Sequence, residues 1–516
     1  MSDFYPLLIY LGFGGGLLLL GISSFRKTRA VRRLLSAGWA TLLVLLWGLG
    51  PLTGRWAISM WSPSSVAGGW MLLEMSPALW WCALAVGLAV CGVQWVTASE
   101  QGEPLPLTGS LVVISLTVVW LVLASGSLLM TLAMWAVFDV VWFAVRLVGS
   151  TDGEQVVWGA AINGLASLVL WATSLFILQD GASELWWLMR PSYPVLTLLT
   201  TACLMRVGFY PFQVVHTEAA GRSRGLTLMG MFSPLTGVAL LYRLLSLPGG
   251  GVLPEWVVGW GVISVLWAGI KSLSAGGRDR LRLACNGMLL AAVTGAVALN
   301  SAEYLVWGAG AWIACQGLLL ASRRFSSREY VWFWPTLLSV GILLGVPASP
   351  FHQLYGAVLA SSSWLWRLIF AVGLAFIVAS LLRSAVWRAE GRVRPPSLLR
   401  LASLTAGLVI GVGGIIVSCL SIDALPMTPV AYLLWVFVLV GGMALARWGG
   451  GVRATLRRGA PVVELLDLRW LYRAAWQGAE NLLGTVRVTA EVVEGSGSVL
   501  WSVLILLLVL MVVGSR

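Results

Sequence analysis

The chain has 516 residues, 59% of them hydrophobic and only 10% charged, with a formal net charge of +12. A soluble domain carries about 25% charged residues, and no water-soluble core of this size hides so much apolar surface. With a mean hydropathy of +0.89, these values exclude a soluble enzyme and predict an all-α polytopic membrane protein. An outer-membrane barrel is excluded as well, because it shows weak alternation rather than apolar runs such as Val499–Val513.

In chain order the apolar runs predict about sixteen spans. They lie at 5–23, 33–50, 74–96, 107–124, 128–147, 155–178, 193–214, 225–246, 255–274, 281–300, 302–322, 330–348, 363–382, 401–420, 429–446 and 496–513. The first is read as a retained helix, since its basic residues Arg26, Lys27 and Arg29 follow it and no small-residue cleavage site stands out. Six cysteines stand singly, with no CxxC pattern, so neither iron–sulfur nor structural zinc binding is indicated.

The basic residues lie mostly in alternate short loops, with Arg55 and Arg190 as exceptions on the other side, which argues for membrane topology and against nucleic-acid binding. Loop 24–32 is basic. The next two on that side carry only acids, Glu100 with Glu103 and Asp152 with Glu154. The same side then holds Arg222 and Arg224; Arg278, Arg280 and Arg282; Arg323, Arg324 and Arg328; Arg388, Arg392, Arg394 and Arg400; and Arg453, Arg457 and Arg458. The positive-inside rule places both termini on the non-cytoplasmic side. Arg447–Arg458 opens a different segment. In 466–491 the residues Leu468, Leu471, Tyr472, Ala475, Ala479, Leu482 and Val486 recur at helical spacing, with Arg473, Glu480 and Arg487 off that stripe. This predicts an amphipathic interfacial helix, read either as a linker to the last span or as a brace against neighbouring subunits.

Met205–Leu245 contains Arg206, then Tyr210, Pro211 and Phe212, then His216, Thr217, Glu218 and Ala219. Further along stand GGRDRLRLA (276–284), LGVPASPFHQLYGAVL (344–359) and a closing glycine-bearing apolar helix after Glu494. This ordered set resembles the proton-translocating antiporter-like membrane subunits: the large membrane-arm subunits of NADH–quinone oxidoreductase and the multisubunit sodium/proton antiporters. The likeness extends over most of the chain, with no single motif intact. It implies two inverted five-helix repeats with broken helices near Pro211 and near Pro347 and Pro350. The corresponding divisions are 1–106, 107–254 (first repeat), 255–400 (second repeat), 401–446, the amphipathic 447–495, and 496–516.

The resemblance also exposes departures. Arg206 stands where the family has a lysine, and a guanidinium does not release its proton as a lysine does. Trp135 matches a family tryptophan, but Ala136 occupies the following glutamate position, and Asp139 is three residues on, nearly one turn away. A displaced Asp139–Arg206 pair is expected; pairing of Asp139 with Arg146 or with backbone is the plainer reading. The later lysine positions fall near Leu235, near Cys315 or Gln316, and near Leu354 to Gly356, with His352 and Gln353 close by. His216 and Glu218 mark either a proton inlet or a solvated loop face. Glu74, at the start of the third span, and Glu303 read as interface charges, and Lys271 as a snorkelling one.

The candidate residues for an ion pathway or a relic pair are therefore Asp139, Arg206, His216, Glu218 and His352, and no catalytic or metal-binding residue is assigned. The resemblance implies a membrane-arm subunit of a complex I-like energy-converting complex in a bacterial inner membrane. Its partners would be other membrane-arm subunits and phospholipids, with quinone and iron–sulfur clusters confined to those partners and structural lipids the only groups bound here. Two alternatives remain: a non-conducting scaffold subunit, and the energising partner of a bicarbonate-uptake complex.

Overall fold

The computed structural model describes residues 4–23, 29–59, 71–98, 107–149, 153–179, 183–213, 224–248, 253–322, 330–360, 363–385, 398–419, 427–458 and isolated positions between 465 and 481. The chain divides into two compact units, Met1–Ala454 and Thr455–Arg516. It is an all-α multi-pass membrane protein. Among the described residues, 12 helical stretches are long and apolar enough to cross a membrane.

The helices are α1 (Phe4–Ser23), α2 (Arg29–Leu49), α3 (Pro77–Ala98), α4 (Thr108–Leu123), α5 (Leu128–Gly149), α6 (Gly153–Gln179), α7 (Tyr193–Val207), α8 (Arg224–Gly230) and α9 (Ser233–Leu245). They continue as α10 (Trp256–Ser274), α11 (Gly277–Leu299), α12 (Ala302–Ala321), α13 (Tyr330–Leu343), α14 (Pro350–Leu359), α15 (Trp364–Ala385), α16 (Leu398–Cys419), α17 (Pro429–Trp448) and α18 (Gly450–Arg458). An antiparallel hairpin, β1 (Gly54–Ser59) and β2 (Met71–Met75), stands between α2 and α3.

Four differences from the sequence reading have local causes. The third span starts at Pro77, not 74: proline suits the first helical turn and keeps its predecessor extended, so Glu74 lies in β2 opposite Arg55. The span expected at 193–214 stops at Val207. Gly208 caps it in the left-handed region (φ 84), its N–H bonded to the carbonyls of Leu204 and Met205. The span expected at 225–246 is two helices. Pro234 has no N–H for the Gly230 carbonyl four residues back, so the ladder opens there. The span expected at 330–348 ends at Leu343, and Pro350 then begins the separate α14, capped by the Ser349 hydroxyl.

Small residues let helices approach closely, as membrane packing requires. Gly92 of α3 and Gly407 of α16 face each other backbone to backbone; a Cβ on Gly92 would lie 2.7 Å from the Gly407 carbonyl oxygen. Buried tryptophans tie neighbouring helices: Trp120 donates to the Ala83 carbonyl at 2.8 Å and Trp312 to that of Cys285 at 2.8 Å. The span expected at 496–513 lies outside the described residues, as does most of the amphipathic segment. Leu465, Leu466, Trp470, Leu471, Ala474, Gln477, Gly478 and Asn481 are helical.

Candidate functional site

The charge pair sits where α5, α6, α7 and α9 meet. Arg206 comes from the last turn of α7, and its side chain is fully buried. Its Nη2 donates to Asp139 Oδ2 at 2.7 Å and to Ser167 Oγ at 2.6 Å, while Ser167 donates to the same carboxylate oxygen at 2.9 Å. Asp139 thus bonds to Arg206 and Ser167; Arg146 lies instead over the Trp142 ring, 5.0 Å from its centroid. Trp135, one turn before Asp139 on α5, lies beneath the guanidinium at 4.1 Å from ring centroid to Cζ. A desolvated contact of this kind contributes about 2 kcal/mol. On the far side α9 presses close: a Cβ on Gly237 would stand 3.0 Å from the Arg206 Cβ.

One turn along α6 from Ser167, Asn163 accepts a hydrogen bond from Ser233 of α9 at 3.0 Å. Around this layer Asp139 Oδ1, Arg206 Nε and Nη1, Trp135 Nε1 and Asn163 Nδ2 are buried without a hydrogen-bond partner. All but the Asp139 oxygen are donors. Asp139 keeps 22% of its side chain exposed.

The helix breaks are capped by side chains, which the sequence reading did not foresee. At the first, the Tyr210 N–H donates to Ser264 Oγ at 3.0 Å, and its carbonyl accepts from the Trp260 indole. At the α8–α9 break the Gly230 carbonyl, deprived of a partner by Pro234, accepts from Trp142 Nε1 at 3.1 Å. At the α13–α14 break three successive carbonyls are capped. Leu343 accepts from the Tyr355 hydroxyl at 2.9 Å, Leu344 from Trp435 Nε1 at 3.2 Å, and Gly345 bonds His352 Nδ1 at 3.0 Å. A carbonyl only accepts, so His352 donates to it through Nδ1; its ring stands edge-on to Trp435. The signal for the extra break was present in the sequence, in Pro234 inside a predicted span, but the capping indoles come from remote helices.

Positions where the resemblance implied lysines are packed apolar instead. Leu235, Cys315 and Leu354 are buried, and Gln316 beside them has an unpartnered amide nitrogen. His216 and Glu218 lie outside the described residues. Glu74 stands in β2 and not at a helix start: it bonds Arg55 at 2.9 Å and Arg243 at 2.9 Å, and Arg55 stacks on Trp187. This network pins the hairpin to the end of α9. None of the six cysteines forms a disulfide, and among the described residues no group of three or more His, Cys, Asp or Glu converges as a metal site.

No protein-family model matches the sequence, and comparison with curated proteins finds no match. Solved structures match by fold. A chain of the Mrp complex from a Dietzia species superposes with a TM-score of 0.72 at 14% identity, over 99% of this chain and 63% of that one. This chain therefore spans less than two thirds of that relative's length. A chain of respiratory complex I from Thermus thermophilus gives a TM-score of 0.62 at 16% identity, covering 86% of this chain and 99% of that one. A chain of an archaeal membrane-bound sulfane sulfur reductase gives 0.66 at 15% identity, covering 98% and 99%. At these identities the likeness establishes a shared fold.

Proposed function

We propose that this chain is a membrane-arm subunit of a complex I-like energy-converting complex, and that it serves there as a non-conducting scaffold. The shared fold supports the first part. The observation that carries the second is the capping of the helix breaks. In broken-helix transporters the freed carbonyls face an ion or water. Here indole N–H groups of Trp142, Trp260 and Trp435 occupy three of them. An indole donates one hydrogen bond and accepts none, so it relays no proton.

The Asp139–Arg206 pair fits the same reading. Arg206 stays charged, Ser167 and the carboxylate hold it, and the pair acts as a lock between α5, α6 and α7. It is the displaced relic of a glutamate–lysine site. Two inverted repeats, at 107–254 and 255–400, about sixteen spans and non-cytoplasmic termini in a bacterial inner membrane complete the proposal. Partner subunits would hold the quinone and iron–sulfur groups.

The test is proton uptake by the purified complex in proteoliposomes. Asp139→Asn should lower assembly or stability more than it changes uptake by the assembled fraction. Abolished uptake in a fully assembled D139N complex overturns the scaffold role and makes Asp139 a working proton carrier. Copurification with no other membrane subunit overturns the membrane-arm assignment.

A further inference from the structure

The outer side of α5 and α6 differs from the other exposed faces of the bundle. Asp139, Val140 and Phe143 of α5 share one helix face, and Ser167, Leu168 and Trp171 of α6 share another, each trio spaced i, i+1, i+4. Val140, Phe143, Leu168 and Trp171 are exposed, and the hydrogen bond from Ser167 to Asp139 joins the two faces. Asp139 is the twelfth of the 22 residues of α5, at the middle of the span, and 22% of its side chain is exposed. Among the described residues, no other acid stands in the central third of a spanning helix. The exposed face of α17, by contrast, presents Leu433, Phe437 and Val440 along its middle.

Lipid tails are a poor cover for this face. An ion pair whose edge opens onto hydrocarbon at mid-membrane depth is costly, because the tails offer it no hydrogen bond. Trp171 makes the same demand independently. It is 55% exposed, and its indole N–H donates to no acceptor among the described residues. It stands one turn from Ser167, about 6 Å along the helix axis. The ring therefore lies in the hydrocarbon region, whereas tryptophan facing lipid settles at headgroup depth. Gly164, one turn to the other side of Ser167, leaves room for a close neighbour: a Cβ there would meet nothing within 4 Å.

We propose that this face of α5 and α6 is the docking surface for a transmembrane helix of a neighbouring membrane subunit, a helix that is apolar except for a hydroxyl or amide side chain at mid-membrane. The inference rests on the membrane-arm reading and names the surface through which that assembly is made. A hydroxyl or an amide both donates and accepts. It suits the carboxylate edge, which takes a donor, and the Trp171 N–H, which takes an acceptor. Hydrogen bonds of this kind join helices in membranes. The partner side chain is neutral, because a second cation would have to share with Arg206 the one carboxylate present.

The test uses the tagged full chain in native membranes, with the photocrosslinker benzoylphenylalanine in place of Leu168 or of Val140. After irradiation each position should give a discrete adduct with another membrane polypeptide. Trp171→Ala should lower the yield of the Val140 adduct about tenfold, the loss expected when an interface indole is truncated. Adducts with lipid alone, an adduct of two copies of this chain, or an undiminished yield in W171A each overturns the proposal. If W171A fails to accumulate, W171F, which keeps an aromatic ring and loses the N–H, is read in its place: the yield must fall, and an unchanged yield overturns the surface. Purification of the parent chain separates the two levels of the argument. Copurification of no other membrane subunit defeats the membrane-arm reading itself, whereas subunits that copurify while neither position crosslinks to them defeat this surface alone.

Discussion

Asp139→Asn isolates the charge lock. The parent pair is 2.7 Å apart, with Arg206 fully buried and Asp139 22% exposed. The substitution keeps the shape and removes the negative charge. Arg206 then holds a cation inside the bundle with no counter-charge, supported by neutral hydrogen-bond partners and by the Trp135 and Phe138 rings. Breaking a buried pair by removing one partner costs about 3–5 kcal/mol. The partial exposure of Asp139 and the remaining hydroxyl and π contacts put the expected loss near the lower end, about 3 kcal/mol. Replacing both partners by apolar residues removes the stranded charge, so D139L/R206M should recover about 2 kcal/mol or more of that loss. The assay is SDS-induced unfolding in mixed micelles, run as a double-mutant cycle. A coupling energy below about 0.5 kcal/mol, the scatter of independent sites, would refute the lock, whatever the distances.

Three further outcomes test the rest of the structure. Trp142→Phe strands the buried Gly230 carbonyl and should cost about 1–3 kcal/mol; parent-like unfolding would mean that the indole is not its essential partner. Ala348 sits at φ 80 on an exposed turn, where a Cβ costs about 1–2 kcal/mol. Ala348→Gly should therefore stabilise the α13–α14 break by roughly 0.5–1 kcal/mol after the added freedom of the unfolded chain, read as a raised unfolding midpoint. Glu184, in the connection between α6 and α7, has a buried Oε2 without a partner, and burial lifts its carboxyl above the ordinary value of 4.5. The native state thus holds that proton more tightly than the unfolded chain. Its contribution is complete below pH 4.5 and is lost as pH rises through the native value. Glu184→Gln should flatten the fall in thermal stability above pH 4.5; an unchanged pH profile would show that Glu184 is hydrated and ionised.

Sequence alone determined most of the helices, because a run of apolar residues long enough to span a bilayer has few alternatives in lipid, where every backbone group must be satisfied locally. It also located two breaks, since Pro211, Pro347 and Pro350 remove donors from the ladder wherever they fall. It singled out Asp139 and Arg206, because charges inside spans are expensive and few. What it left open was which groups answer them. Ser167, Trp135, Trp142, Trp260 and Trp435 read as ordinary membrane residues, with no local mark of their roles. Glu74 was misplaced for the same reason: its partners Arg55 and Arg243 are 19 and 169 residues away. A helix advertises its own unsatisfied carbonyl through a proline or glycine. The indole that satisfies it is chosen by how separate helices pack, and that is decided only in the tertiary structure.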